Sequence, residues 1–436
     1  MSKELREAVK VVSLVLPFKV NKYILENLID WNNIPNDPIY RLVFPHRHML
    51  KQNEYAELLK FTSNSENNAE LQSIVHKIRT RMNPHPAGQM SHNIPYFEGT
   101  PLLGVQHKYK ETVLFFPAAG QTCHAYCTFC FRWPQFIGEP SLKFDARSSE
   151  NLVKYLRQHQ EVSDVLITGG DPMVMSASSL EKYLLPLLSD DLAHIKNIRI
   201  GTKAVSYWPQ RFVCDQDFGE VLRLFERMTK TGRSVALMAH YNHPNELSTE
   251  IAQRAIRNII STGATVRVQS PLIKHVNDKA QIWIDLWNNS VSLGAVPYYM
   301  FVERDTGPNE YFHLPIFKAH QIFKDAYASI SGLGRTVRGP SMSTQNGKVL
   351  IDGVVDLNGE KAFSLQFIQS RNPEWVRQPF FAKFKAEATW FDQLEPFYES
   401  DRKFFANRYH LNITRSSIDN ANVAIGLATS PQPEAH

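Results

Sequence analysis

Cysteine is scarce in this chain: four residues among 436, with three of them crowded into positions 123–130. A disulfide-stapled secreted protein uses an even, dispersed set, so that class is excluded and reduced thiols serving a metal fit better. Long apolar runs are also missing. The longest near the start, VVSLVLPF, is too short to span a bilayer and is followed by no small-residue cleavage site, so no membrane partner is expected and a soluble, cytoplasmic protein is. Neither sign of charge dominates: 48 Lys and Arg against 43 Asp and Glu leave +5, with no block of like charge. A nucleic-acid arm would need such a block, so no nucleic-acid partner is expected either. No internal repeat or low-complexity tract occurs. What the chain does have is 43% hydrophobic residues, enough to bury a full core as one large α/β domain with extensions or as two domains.

Residues 1–105 read as a mainly helical extension, with apolar residues at helical spacing in EYAELLKFT and ELQSIVHKIRTRM, ended by the Pro- and Gly-rich NPHPAGQMSHNIPYFEGTP. Over 106–330 six strand-like runs (TVLFFP, DVLITGG, IKNIRIGTK, SVALMAHY, TVRVQSPLI, AVPYYMFV) each precede a helix-like segment. That alternation predicts an α/β fold of parallel strands with right-handed crossovers, a partial (β/α)6 barrel with its chemistry at the carboxyl ends of the strands. Past 331 the alternation stops. Residues 331–436 form a mixed extension whose aromatic, arginine-bearing stretches (RQPFFAKF, ATWFDQLEPFY, DRKFFANRY) read as packing or an oligomer surface rather than a base-stacking platform.

The cysteines follow the first predicted strand, in QTCHAYCTFCFRW, at C-x3-C-x2-C spacing: Cys123, Cys127 and Cys130. A structural zinc site wants four protein ligands, and His124 is the only supplement nearby. Iron–sulfur clusters also usually take four cysteines, so three would leave one iron open to bind a substrate or cofactor. The second predicted strand ends in ITGGDP, whose glycines let a ligand approach the backbone, although GGDP alone is an ordinary turn.

These features together resemble the radical S-adenosylmethionine superfamily. The run CFR, ITGGDP, IRIGTKAVSYWPQR, AHYNHPNE, VQSPLIKHVND and VPYYMF resembles, in order and spacing, the lysine 2,3-aminomutase family over about residues 90–330. The resemblance implies a [4Fe-4S] cluster on Cys123, Cys127 and Cys130, with S-adenosylmethionine beside Phe129, Gly169, Gly170, Asp171, His240 and Gln269. It also implies Arg132 on the α-carboxylate of an amino-acid-like small-molecule substrate, where a planar guanidinium suits a carboxylate. A further implication is an electron donor such as flavodoxin or ferredoxin, and a homo-oligomer fits the family's habit. HKY at 107–109 places Tyr109 where the family keeps pyridoxal phosphate.

Departures from the family pattern bear on substrate and cofactor. Where the aminomutases carry their pyridoxal phosphate lysine, RTVRGPSMSTQNGK aligns Met342, and a thioether forms no Schiff base. Lys348 is the substitute, although NGKVLIDG reads as a hairpin turn that would leave it at the surface. An arginine, Arg304, stands at the aligned position of an acid used for lysine's distal ammonium. With Arg335 and Arg338 it points to a substrate with a second anionic group rather than to lysine. Two enzyme readings stay open: an aminomutase-like isomerase of altered specificity, and a pyridoxal-phosphate-independent radical enzyme (epimerase, dehydrogenase or other rearrangement). From a different class comes a zinc-containing binding protein.

Overall fold

The structure is a computed structural model that describes residues 1–62, 68–84, 93–138 and 143–405. Residues 85–92 of the Pro- and Gly-rich stretch and the chain beyond 405, including the end of DRKFFANRY, lie outside the described residues. Strands β1 (Tyr96–Phe97) and β2 (Thr100–Pro101) make a small antiparallel pair. The remaining strands form one curled sheet of eleven.

Its centre is the expected barrel. After β3 (Val105–Tyr109), strands β4 (Thr112–Phe115), β5 (Asp164–Ile167), β6 (Asn197–Thr202), β7 (Ser234–His240), β8 (Thr265–Leu272) and β9 (Val296–Val302) pair in parallel, each with the next. A helix follows each: Glu150–Gln158, Ala177–Leu184, Phe218–Lys230, Glu250–Ser261, Ala280–Ser292 and Ile316–Ala328. The helices bury one stripe, as Phe218–Lys230 does with Val221, Leu224, Phe225 and Met228, the i, i+3, i+4, i+7 pattern of a helix on a sheet. Thr249 starts Glu250–Ser261 by accepting from the Ala252 amide, a donor the first helical turn would otherwise leave unsatisfied. Alternation along β8 sends Val266, Val268 and Leu272 into the outer core and leaves Arg267 and Gln269 half-buried on the lumen side.

The parallel run is longer than the sequence pattern. β10 (Arg338–Ser343) pairs parallel to β9, although RGPSMS holds no β-branched residue and so carries no strand signature. Pairing with β9 on one side and with the antiparallel β11 (Gly347–Leu357) on the other makes it a strand. β12 (Glu360–Ser370) and β13 (Pro379–Lys383) continue the sheet antiparallel, and β3 extends the opposite end, antiparallel to β4. The β3 end of the sheet meets the β10–β11 turn and the end of β12 through side chains. Lys108 Nζ donates to the Thr344 carbonyl (3.1 Å), Gln369 Nε2 to Glu111 Oε1 (3.1 Å), and Arg371 to the Asn93 side chain.

Helices Lys3–Val12, Pro38–Val43, Gln52–Leu59 and Asn68–Met82 build a second core that takes in Ala125, Phe129 and Trp133 of the cysteine loop. The tail aromatics face inward: Phe380 stacks on Phe367 (5.4 Å) and Phe404 (4.6 Å), and Trp390 and Phe391 join the main core. Among the described residues no helix is long and apolar enough to cross a membrane.

Gly104, at φ +75°, enters β3 against the segment that leads to the first barrel helix; a Cβ there would lie 2.4 Å from the Ala146 amide nitrogen. Both the left-handed backbone and the contact oppose a side chain. Gly104→Ala is therefore expected to lower stability by about 2–4 kcal/mol, read as a reduced denaturation midpoint with an unchanged slope.

Candidate functional site

The cysteine loop leaves the carboxyl end of β4 and is pinned from the amino-terminal extension. Lys19 Nζ donates to the Cys123 carbonyl (2.7 Å), the Tyr126 amide to the Lys19 carbonyl (2.8 Å), and the Thr128 amide and hydroxyl to the carbonyls of Leu42 and Arg41 (2.9 and 2.7 Å). Cys123, Cys127 and Cys130 are unbridged and half-buried. Burial pushes all three thiols up, Cys130 to about 11, so a bound cation is what would make them thiolates. No three His, Cys, Asp or Glu side chains among the described residues converge on one ion. The zinc alternative thus lacks a single-ion donor set there, whereas cluster ligands bind separate irons and need no common point.

The glycine loop interlocks with the cysteine loop. A Cβ on Gly170 would sit 2.4 Å from the Thr122 carbonyl oxygen, and the Asp171 amide donates to that oxygen (2.8 Å). The Asp171 carboxylate accepts from the Met173 amide (3.0 Å), the Thr202 hydroxyl (2.7 Å) and the Lys203 amide (2.9 Å). With three protein donors in place, this carboxylate ties β5 to β6. His240 ends β7 opposite Gln269 of β8, and the ring of Phe129 packs 5.6 Å from the His240 ring. Burial, then the charge of Lys203, lowers the His240 pKa far enough to keep the ring neutral, and its Nε2 has no partner.

Beneath these strand ends lies a buried polar knot that the sequence reading missed. Lys203 Nζ donates to Glu246 (2.6 Å), Asn242 Oδ1 (3.0 Å) and the His240 carbonyl (3.1 Å). Glu246 also accepts from the Ser206 hydroxyl (2.5 Å) and the His243 amide (2.8 Å). The only sequence signal was a lysine and a glutamate at strand ends inside the motifs IGTK and HPNE.

Arg132 is 8% exposed, lies 4.3 Å over the Phe116 ring and has an unpartnered Nε. Arg304 lies over Phe131, and its Nε is likewise without a partner. Arg338 begins β10, exposed, opposite Tyr299 at the middle of β9 and over the rings of Tyr298 and Tyr299 (4.5 and 4.2 Å).

Met342 is fully buried in the outer core, opposite Val349. Lys348 is not a surface turn lysine. It pairs with Ser343 inside the hairpin, half-buried, with Nζ over the Tyr299 ring (4.4 Å) and 3.3 Å from Gln369 Oε1. The hairpin puts its turn at 344–346, two residues earlier than the sequence suggests, so Lys348 belongs to a strand facing the lumen. Burial, then Arg199 and Arg338, lowers its pKa to about 7. Tyr109 and Lys108 are buried beside it, Lys108 with its pKa depressed by burial and by Arg304, Arg371 and Lys348.

Cluster and S-adenosylmethionine thus find three thiols on a loop that two glycines let pack tightly, and, among the described residues, orphaned buried polar atoms on His124, Arg132, His240 and Ser270. Buried polar groups without partners are costly unless a ligand completes them, so the residues present fit both groups.

The chain is 31% identical over 389 residues to an Aquifex aeolicus protein that carries the provisional name L-lysine 2,3-aminomutase, covering 89% of this chain and 90% of that one. It is 30% identical over 233 residues to the L-lysine 2,3-aminomutase of Acetoanaerobium sticklandii and 30% over 240 to that of Clostridium subterminale. These two alignments span only about half of each relative, 53% and 54%. Among solved structures, Streptococcus suis SuiB bound to S-adenosylmethionine aligns at a TM-score of 0.36 and 13% identity over 63% of this chain and 56% of that one, too loosely to carry an argument. No family model matches the chain.

The Lys203–Glu246 pair sits almost out of solvent. Removing one partner of such a pair leaves a buried charge uncompensated. Lys203→Met is expected to cost about 3–5 kcal/mol of stability, and adding Glu246→Gln, neutral but still able to accept hydrogen bonds, is expected to restore more than half of it in a denaturation cycle.

Proposed function

This chain belongs to the lysine 2,3-aminomutase family of radical S-adenosylmethionine enzymes, and we propose that it acts on an amino-acid-type substrate other than lysine. In this reading Cys123, Cys127 and Cys130 hold a [4Fe-4S] cluster, and Gly169, Gly170, His240 and Gln269 border S-adenosylmethionine. The observation that carries it is convergence: the cysteine loop, the glycine loop and the ends of β7 and β8 all lie at the carboxyl face of the parallel strands, where barrels of this kind place chemistry. When bound, the cluster and S-adenosylmethionine supply one-electron reduction and a hydrogen-abstracting 5′-deoxyadenosyl radical. An external donor of flavodoxin or ferredoxin type would provide the electron.

The chain's own residues bind and orient. Arg132, desolvated and stacked on Phe116, presents a planar fork to the substrate's α-carboxylate. Arg304, buried near the same loop, repels a distal ammonium and suits a second anion, which is why lysine is a poor candidate.

A second reading, an aminomutase with pyridoxal phosphate, is favoured by one observation. Lys348 puts an amine in the lumen beside Tyr109 and Lys108, half neutral near pH 7, and a neutral amine is the nucleophilic form.

Two measurements test these readings. Cys127→Ala is expected to lose cluster iron and all cleavage of S-adenosylmethionine to 5′-deoxyadenosine; cleavage with full iron content would discard the cluster assignment. If the second reading is right, borohydride treatment after incubation with pyridoxal phosphate labels Lys348 selectively, and labelling rises between pH 6 and pH 8 as the ammonium loses its proton. Scattered labelling, flat across that window, would leave the enzyme without pyridoxal phosphate.

A further inference from the structure

One buried carboxyl at the mouth has no task in the chemistry above. Glu303 follows β9 directly, at its carboxyl end. Met300 and Val302 turn into the outer core, so alternation carries Phe301 to the lumen side, and Glu303 is the first residue past the strand. The side chain is 5% exposed. No described residue donates a hydrogen bond to it, Arg304 acts on it only through space, and burial pushes its pKa well above the ordinary carboxylate range. Glu303 and Arg132 both act on the Cys130 thiol from nearby. Arg304 lies over the Phe131 ring and Gly307 packs against Trp133, so the segment that starts with Glu303 abuts the one that carries Cys130 and Arg132, whose Nε has no partner among the described residues.

We propose that Glu303 receives the free α-ammonium of the substrate while Arg132 receives its α-carboxylate, so that the mouth binds an intact amino-acid zwitterion. This rests on the radical-enzyme reading of the site. A desolvated carboxyl with no donor is unfavourable until a cation reaches it. An amino acid with two carboxylates and one ammonium offers a group to each of Arg132, Arg304 and Glu303. The amine is then held by the protein directly instead of being committed to a carbonyl cofactor, in keeping with the core-facing Met342. A site built around an amine rejects an analogue that lacks it, because the buried acceptor is left bare.

The test uses cluster-loaded protein with S-adenosylmethionine and two probes, L-glutamate and glutarate, which share both carboxylates and differ in the amine. Equilibrium dialysis is expected to show glutamate binding at least tenfold more tightly than glutarate to the wild type, with the ratio falling to about one in Glu303→Gln. A wild-type ratio near one, no measurable glutamate binding, or an unchanged ratio in the variant overturns the proposal. The wild-type ratio decides the matter even if Glu303→Gln fails to load its cluster. Formation of 5′-deoxyadenosine by the same wild-type sample after addition of dithionite as the one-electron reductant separates the two levels. Its absence means that the radical-enzyme reading has failed; its presence with a ratio near one means that only the role of Glu303 has.

Discussion

The contact between the Gly170 backbone and the Thr122 backbone is the constraint on which the site depends. With no Cβ at Gly170, the glycine loop closes on the cysteine loop to the point where the Asp171 amide reaches the Thr122 carbonyl. The Asp171 carboxylate then passes the constraint to β6 through Thr202 and Lys203. Lys203 in turn reaches the end of β7 through Glu246 and the His240 carbonyl. One chain of short polar contacts thus runs from the cysteines across three strand ends, and its members are buried where an unmade hydrogen bond is expensive. The geometry of the mouth is consequently held by polar specificity laid on top of an apolar scaffold.

A partial barrel has to deal with its open side. Here the sheet continues past its parallel strands into an antiparallel extension that curls far enough for β12 and the β10–β11 turn to touch the β3 end. The closure uses long side chains rather than ladder hydrogen bonds, and so gathers cations at the seam: Arg304, Arg371 and Lys348 all act on Lys108. Positive potential in a low-dielectric lumen favours anionic ligands. That property belongs to the extension as much as to the barrel.

Legibility in the sequence followed the physics of each feature. The six parallel strands and their helices were readable because burial on one face imposes a period, as in TVRVQSPL and FGEVLRLFERMTK. The cysteine and glycine loops were readable because their residue types and spacing have few other uses. β10 was not, since RGPSMS has no strand propensity and is a strand only through its neighbours. Lys348 was placed wrongly because local patterns do not say which face of a sheet a side chain reaches: taken for a turn lysine, it lies in a strand, half-buried over the Tyr299 ring.

By itself the sequence determined the family, the thiol set and the order of strands and helices, all of which rest on local spacing and residue chemistry. Only the tertiary structure decided which charged groups share the lumen, that Met342 faces the core, that Lys348 has a largely desolvated amine and that Glu303 stands without a donor among the described residues. Desolvation and partnering depend on contacts between segments hundreds of residues apart, and no local pattern encodes them.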